Sequence, residues 1–220
     1  VQETFYQLGL KNNTDKIYHH RYDRFYPMFL ERLRDKTFNM CEIGIYECNS
    51  ISLWTEYFSS VTIYAVDVVD KKECESERVK VICGDQSNLS GIDKIIDQLP
   101  MCDFIIDDGS HIPEHQYMTF KSLFDKRLNY GGTYIIEDIE GSYWKQINPE
   151  YKKYGYQFTG ISIFKYIGNV YDMVNDEFSN CKNILNISSI TYAHNCIIIT
   201  KRTEEEIDLC SREYRWRKFQ

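Results

Sequence analysis

Near its end the chain reads Ile184-Leu185-Asn186-Ile187-Ser188-Ser189-Ile190-Thr191, then Tyr192-Ala193-His194-Asn195, then Cys196-Ile197-Ile198-Ile199-Thr200-Lys201. Two strand-like runs, 184–191 and 196–201, are separated by only four residues, which is hairpin length and forces them to pair antiparallel. Upstream lie five more short apolar runs: Phe38 to Gly44, Val61 to Asp67, Val79 to Cys83, Phe104 to Asp107 and Thr133 to Glu137. They alternate with longer amphipathic segments, the pattern of parallel strands joined by helices. The expected architecture is α/β: a seven-stranded, mostly parallel sheet with an antiparallel C-terminal hairpin and helices on both faces.

Between the strands, Ile51 to Phe58, Leu89 to Leu99 and Tyr117 to Leu128 carry apolar residues near helical spacing, and Ile161 to Phe178 predicts one more helix. Pro113 suits a first helical turn, where its missing N–H is not needed. In His19 to Arg34, the residues Tyr22, Phe25, Tyr26, Phe29, Leu30 and Leu33 recur at i, i+3, i+4 intervals, predicting an amphipathic helix that covers a sheet face or a cleft. The domain reading is an N-terminal helical cap over 1–36, one α/β domain over 37–201 and a charged tail over 202–220. A first residue Val1 rather than Met suggests a segment of a longer polypeptide.

Composition narrows the function. With 220 residues and a net charge of -7, the chain lacks the basic stripe that phosphate backbones require, so no nucleic-acid partner is expected. No apolar run approaches the ~20 residues that span a bilayer, so no membrane partner is expected either. The eight cysteines form no CxxC pair and several sit in apolar runs, where a thiol acts as a small hydrophobe; a reducing, cytoplasmic location follows.

The chemistry-bearing residues cluster where strands end: Asp67, then Asp107-Asp108-Gly109-Ser110-His111, then Glu137-Asp138. In open parallel sheets the ligand crevice lies outside those carboxyl ends. Gly44 closes the first strand at a turn where backbone can approach a ligand closely. The further glycines of a pyrophosphate-cradling loop are missing, because Ile45-Tyr46-Glu47-Cys48 follows, which suits a cofactor without phosphates such as S-adenosyl-L-methionine. Asp67 is placed to accept the ribose hydroxyls, and Asp85 and Gln86 to meet the adenine edge.

Asp108, Glu137 and Asp138 together offer hard oxygen ligands suited to Mg²⁺. His111 then fits a general base, since imidazole titrates near neutral pH. Asp107 is expected to orient the loop rather than bind the ion. His115, four residues after His111, lacks the cysteine company that would favour zinc. His19, His20 and His194 admit several roles, and the aromatic run from Tyr18 to Tyr26 reads as core before lid.

The chain resembles the macrocin- and mycinamicin-type sugar O-methyltransferases, a group that includes rhamnosyl O-methyltransferases. The resemblance rests on Thr14-Asp15-Lys16 with His20 and Tyr22, Glu42-Ile43-Gly44-Ile45, Gly84-Asp85-Gln86, Ile106-Asp107-Asp108-Gly109-Ser110-His111, and Glu137-Asp138 followed by Ser142-Tyr143-Trp144. It implies a Rossmann-like class I methyltransferase fold, in which a parallel sheet closed by an antiparallel pair is typical. It also implies S-adenosyl-L-methionine held by Glu42, Ser50, Asp67, Asp85, Gln86 and Asp108, Mg²⁺ on Asp108, Glu137 and Asp138, and His111 as base.

The leading expectation is methyl transfer to a sugar hydroxyl, with a deoxyhexose such as rhamnose in a glycan or glycoside as acceptor. A catechol-like acceptor at the same metal, and a non-catalytic cofactor-binding scaffold, are the alternatives. Homo-oligomerisation and fusion to a glycosyltransferase stay open.

Overall fold

A computed structural model of the chain describes residues 2–143 and 185–211. The predicted helix 161–178, residue 184 of the predicted sixth strand, Trp144 of the last motif and the tail beyond 211 lie outside the described residues.

The seven strands are β1 (Thr37–Ile43), β2 (Ser60–Asp67), β3 (Val79–Cys83), β4 (Cys102–Asp107), β5 (Leu128–Glu137), β6 (Ile187–Ala193) and β7 (Cys196–Lys201). They form one sheet in the order β3-β2-β1-β4-β5-β7-β6. Pairing is parallel from β3 through β5 and antiparallel at β5–β7 and β6–β7, as the hairpin-length turn requires. Leu185 and Asn186 precede the sixth strand rather than belonging to it, and β6 runs on through Tyr192 and Ala193 instead.

Helices cover both faces because strand side chains alternate. On one face Met40, Phe104, Ile106, Ile135 and Ile198 pack with α1 (Phe5–Lys11), α2 (Asp15–Tyr18), α3 (Pro27–Leu30) and α4 (Asn49–Tyr57). On the other, Cys41, Ile105, Tyr134, Ile136, Ile197 and Ile199 pack with α5 (Leu89–Gln98) and α6 (Pro113–Lys126). A last helix, α7 (Glu204–Ser211), follows β7. Its N-terminal turn carries Glu204, Glu205 and Glu206, favourable charges at the positive end of the helix dipole.

The long helix expected over His19 to Arg34 is broken. Arg21 takes a left-handed backbone (φ 56), a 3-10 turn covers Tyr22–Arg24, and α3 restarts at Pro27. Proline has no N–H to give residue 23 and its ring would crowd that carbonyl, so it can begin a helix but not continue one. The apolar face survives the break: Tyr22, Tyr26, Leu30 and Leu33 are all buried against Trp54 and the sheet. This segment covers a sheet face and carries two phenol groups toward the strand ends.

Cys41, Cys102 and Cys196 are buried thiols, as expected of small hydrophobes. Cys48 and Cys74 differ: their sulfurs are joined, linking the turn after β1 to the 3-10 turn Lys72–Cys74 beyond β2.

Candidate functional site

The strand order reverses between β1 and β4, and their register pairs Ile43 with Asp107. β2 ends level with them, Ile43 pairing with Val66, and β5 pairs Ile136 with Asp107. Gly44, Asp67, Asp85, Asp108 and Asp138 therefore emerge along a single edge, at the switch point where doubly wound sheets form their crevice. A cleft of about 420 Å³ opens there, within the range of small-molecule sites, lined by all five together with Gln86 and His111. A smaller adjoining pocket of about 130 Å³ shares Asp15, Gly44, Tyr46 and Asp108 with it and adds Ser50.

Gly44 is dictated by geometry. Its φ is 81°, and a Cβ there would lie 2.1 Å from the Asp108 carbonyl oxygen. The β1 turn is thus packed directly on the Asp108 backbone, whose N–H donates to the Ile43 carbonyl at 2.9 Å. Asp67 braces the same turn: Oδ2 accepts from the Ile45 N–H (3.1 Å) and Oδ1 from the Val69 N–H (2.9 Å). Asp85 faces the cleft while accepting from the Ser87 N–H and hydroxyl, which hold its carboxyl below the usual range.

Two residues expected to touch a cofactor are engaged inside the protein. Gln86 donates through Nε2 to both Asp107 oxygens (3.0 and 3.2 Å), while its Oε1 accepts from the Ser110 N–H at 2.6 Å. Glu42 is fully buried and accepts from the Ser50 hydroxyl and the Trp54 indole N–H, both at 2.9 Å. Ser50 itself reaches the smaller pocket, so Glu42 stands behind it.

Asp107 orients the loop: besides Gln86 it accepts from the Tyr134 hydroxyl (3.3 Å) and the Gly109 N–H (3.4 Å). Burial pushes its carboxyl from 3.8 up to about 6. An acid with a raised folded pKa binds its proton more tightly when folded, so its contribution to stability falls as pH rises from about 4 to about 6. Asp107→Asn is expected to flatten the urea-unfolding free energy over that window by up to ~3 kcal/mol, at ~1.4 kcal/mol per pH unit. An unchanged slope would mean that Asp107 ionises normally.

Asp108, His111 and Asp138 each offer one ligand atom, all within 4.8 Å of one another. His111 (φ 56) and Asp138 (φ 52) both have left-handed backbones, sparsely populated for side-chain-bearing residues and typical of functional sites. His111 Nε2 stands 3.9 Å from Asp138 Oδ2. Burial, then the nearby Asp108 charge, raises the Asp138 carboxyl to about 6. The two carboxylates are the oxygen donors that hard divalent ions take, and the His111 imidazole stands beside them.

Glu137 is not in that group. Its Oε2 lies 2.6 Å from the Lys16 ammonium, and its Oε1 accepts from the Tyr26 hydroxyl. Lys16 is 1% exposed and also contacts Asp108 Oδ2 (2.8 Å) and Glu42 Oε1 (3.2 Å), so one buried cation ties the ends of β1, β4 and β5. Burial pushes the Glu137 carboxyl well up, against the lowering effect of Lys16.

His20, Glu140 and His19 form a second close group, but both ring nitrogens of His20 already face Asn195 and Asp138. His115 Nδ1 pairs with the Ser110 hydroxyl at 3.0 Å. Lys16 and Asn195 are the organising residues that motif reading missed as such. Lys16 appeared only inside Thr14-Asp15-Lys16, and Asn195 only as a turn residue.

No family model matches the sequence. Over 151 residues the chain is 34% identical to the 8-demethyl-8-alpha-L-rhamnosyl tetracenomycin-C 2'-O-methyltransferase of Streptomyces olivaceus, a match covering 66% of this chain and 40% of that one. Over 132 residues it is 31% identical to the mycinamicin VI 2''-O-methyltransferase of Micromonospora griseorubida, covering 57% and 33%. The chain thus spans about 40% or less of the length of these curated relatives. Among solved structures, the MycE methyltransferase of the mycinamycin biosynthetic pathway, in complex with Mg and SAH, superposes with a TM-score of 0.78 at 25% identity, covering 93% of this chain and 56% of that one. The resemblance to sugar O-methyltransferases and the class I, Rossmann-like methyltransferase fold expected from the motifs are both found again in these matches.

Proposed function

We propose that this chain is an S-adenosyl-L-methionine-dependent O-methyltransferase acting on a sugar hydroxyl, with a deoxyhexose such as rhamnose in a glycan or glycoside as acceptor and Mg²⁺ at its reaction centre. The observation that carries the reading is the convergence of Asp108, His111 and Asp138 in the cleft that Gly44, Asp67 and Asp85 also line. When bound, S-adenosyl-L-methionine supplies an electrophilic methyl group and Mg²⁺ lowers the pKa of a nearby hydroxyl.

The chain's own residues then divide the work. Gly44 lets backbone approach the cofactor, Asp67 receives the ribose hydroxyls and Asp85 the adenine edge. Ser50, backed by Glu42, faces the methionine end, while Gln86 shapes the wall through Ser110. Asp108 and Asp138 would hold the ion, with Glu137, the third ligand expected, standing behind them against Lys16. His111 takes the proton from the acceptor hydroxyl. The 37–201 domain performs this under a cap formed by 1–36.

Among the described residues no helix is long and apolar enough to cross a membrane. A cytoplasmic location belongs to the proposal, supported by the buried thiols Cys41, Cys102 and Cys196; under it Cys48 and Cys74 are reduced in the cell. Homo-oligomerisation and a glycosyltransferase fusion are proposals for the full reading frame.

An acceptor panel tests the reading. Incubated with S-adenosyl-L-methionine and Mg²⁺, rhamnosides and related deoxyhexosides should gain one methyl group by mass. Transfer to catechols with none to sugars would replace the acceptor assignment, and cofactor binding without any transfer would favour a scaffold.

A further inference from the structure

We infer that Asn195, on the turn of the β6–β7 hairpin, is a positioning residue for Asp138. The inference rests on the divalent-ion reading above and adds the C-terminal hairpin to the reaction centre. Register brings the two together, because β5 pairs Glu137 with Cys196 and the next step past each strand end sets Asp138 beside Asn195. Asn195 has a left-handed backbone (φ 59), a conformation asparagine tolerates better than most residues, and it is 7% exposed.

The side-chain amide and the carbonyl of Asn195 are engaged with the segment that carries Asp138 or its supports. Its Oδ1 accepts from the Glu140 N–H at 2.9 Å, which fixes the orientation of the amide. Its carbonyl accepts from the Ile139 N–H (3.4 Å) and the Tyr22 hydroxyl (3.1 Å). Its Nδ2 then donates to Asp138 Oδ1 and to His20 Nδ1, both at 3.0 Å. Because the amide nitrogen can only donate, His20 Nδ1 must accept, so the ring proton sits on Nε2, 3.3 Å from the same Oδ1.

The Tyr22 hydroxyl lies 3.1 Å from that oxygen and from the Asn195 carbonyl and shares its single proton between them, a third contact to Oδ1. With Oδ1 surrounded by these three, Oδ2 is the oxygen turned toward His111, and it is the one left to serve an ion. The two backbone contacts from residues 139 and 140 hold the left-handed turn at Asp138. A carboxylate so held presents one fixed lone-pair direction, the task of groups that orient metal ligands from behind.

The test uses the full chain with Mn²⁺ as the spin-active probe, followed by electron paramagnetic resonance, beside SAH affinity by calorimetry and the melting temperature. Asn195→Gly keeps the backbone conformation and removes the amide; Asn195→Asp also keeps the size. Each should weaken Mn²⁺ binding by ~10–100-fold, the range for losing such a partner, with SAH affinity within about twofold of wild type.

Tyr22→Phe removes one donor with little change in packing and should weaken Mn²⁺ by a smaller factor, which keeps the idea open to refutation if neither Asn195 variant folds. Unchanged Mn²⁺ affinity in a folded variant overturns the inference. So does a loss of SAH affinity and melting temperature in proportion to Mn²⁺, which would mark a general structural role. Wild-type protein that binds SAH but no Mn²⁺ would overturn the divalent-ion reading itself, and this inference with it.

Discussion

Lys16→Met will destabilise the protein by ~3–5 kcal/mol, read as a lower urea midpoint at pH 8 with little change in slope. The size follows from burial. Lys16 Nζ lies within 3.2 Å of carboxylates from three strand ends, Glu42, Asp108 and Glu137, and is almost inaccessible to water. Removing one partner of a buried ionic cluster leaves the others facing each other without a counter-charge, which costs far more than a surface pair is worth.

The loss should shrink at pH 5, because the Glu42 and Glu137 carboxyls already sit above their ordinary range through burial, and protonating them relieves the repulsion. Mg²⁺ should also restore part of it by supplying positive charge to Asp108. A midpoint unchanged at pH 8 would mean that the cluster contributes nothing, and that the ends of β1, β4 and β5 are held by packing alone.

His111→Ala is expected to lower kcat for methyl transfer by ~10²–10⁴-fold, the usual contribution of a positioned proton acceptor. The ring lines the cleft beside Asp138, on a backbone that only a closely packed loop maintains. SAH affinity should stay within about twofold of wild type, because the Gly44 turn is braced by Asp67 and by the Asp108 backbone. Full activity in the alanine variant would assign the proton to another group, or to water.

Much of this arrangement was legible in the residues. The strands declared themselves because apolar runs ended abruptly in Asp67, Asp107-Asp108 and Glu137-Asp138, and the turn 192–195 was too short for anything but an antiparallel return. Charges placed outside the carboxyl ends of parallel strands must share one edge once the strands are in register, so Asp108 and Asp138 could be paired without coordinates.

What stayed hidden depended on depth. Glu42 and Gln86 occupy cofactor-like positions in the chain, yet the structure buries Glu42 behind the cleft wall and ties Gln86, within the wall, to Asp107 and Ser110; nothing in a sequence distinguishes a polar side chain that faces a cleft from one that braces it. Lys16 follows Thr14-Asp15 in a four-residue helix, where lysine ordinarily reads as solvated. Tyr22 and Tyr26 read as core from their spacing. They are core, and their hydroxyls nevertheless reach Asp138 and Glu137, because a tyrosine can bury its ring and still present a polar tip. The continuous helix expected across 19–34 failed at Pro27, a breaker outweighed by an apolar stripe that persists through the break.

The central claim is metal-assisted methyl transfer at Asp108, His111 and Asp138. It is tested most directly by following the mass of a rhamnoside incubated with the chain and S-adenosyl-L-methionine, first with excess EDTA and then after Mg²⁺ is added back. The account predicts no product under EDTA and a gain of one methyl group on adding Mg²⁺. Equal methylation in both conditions would contradict it.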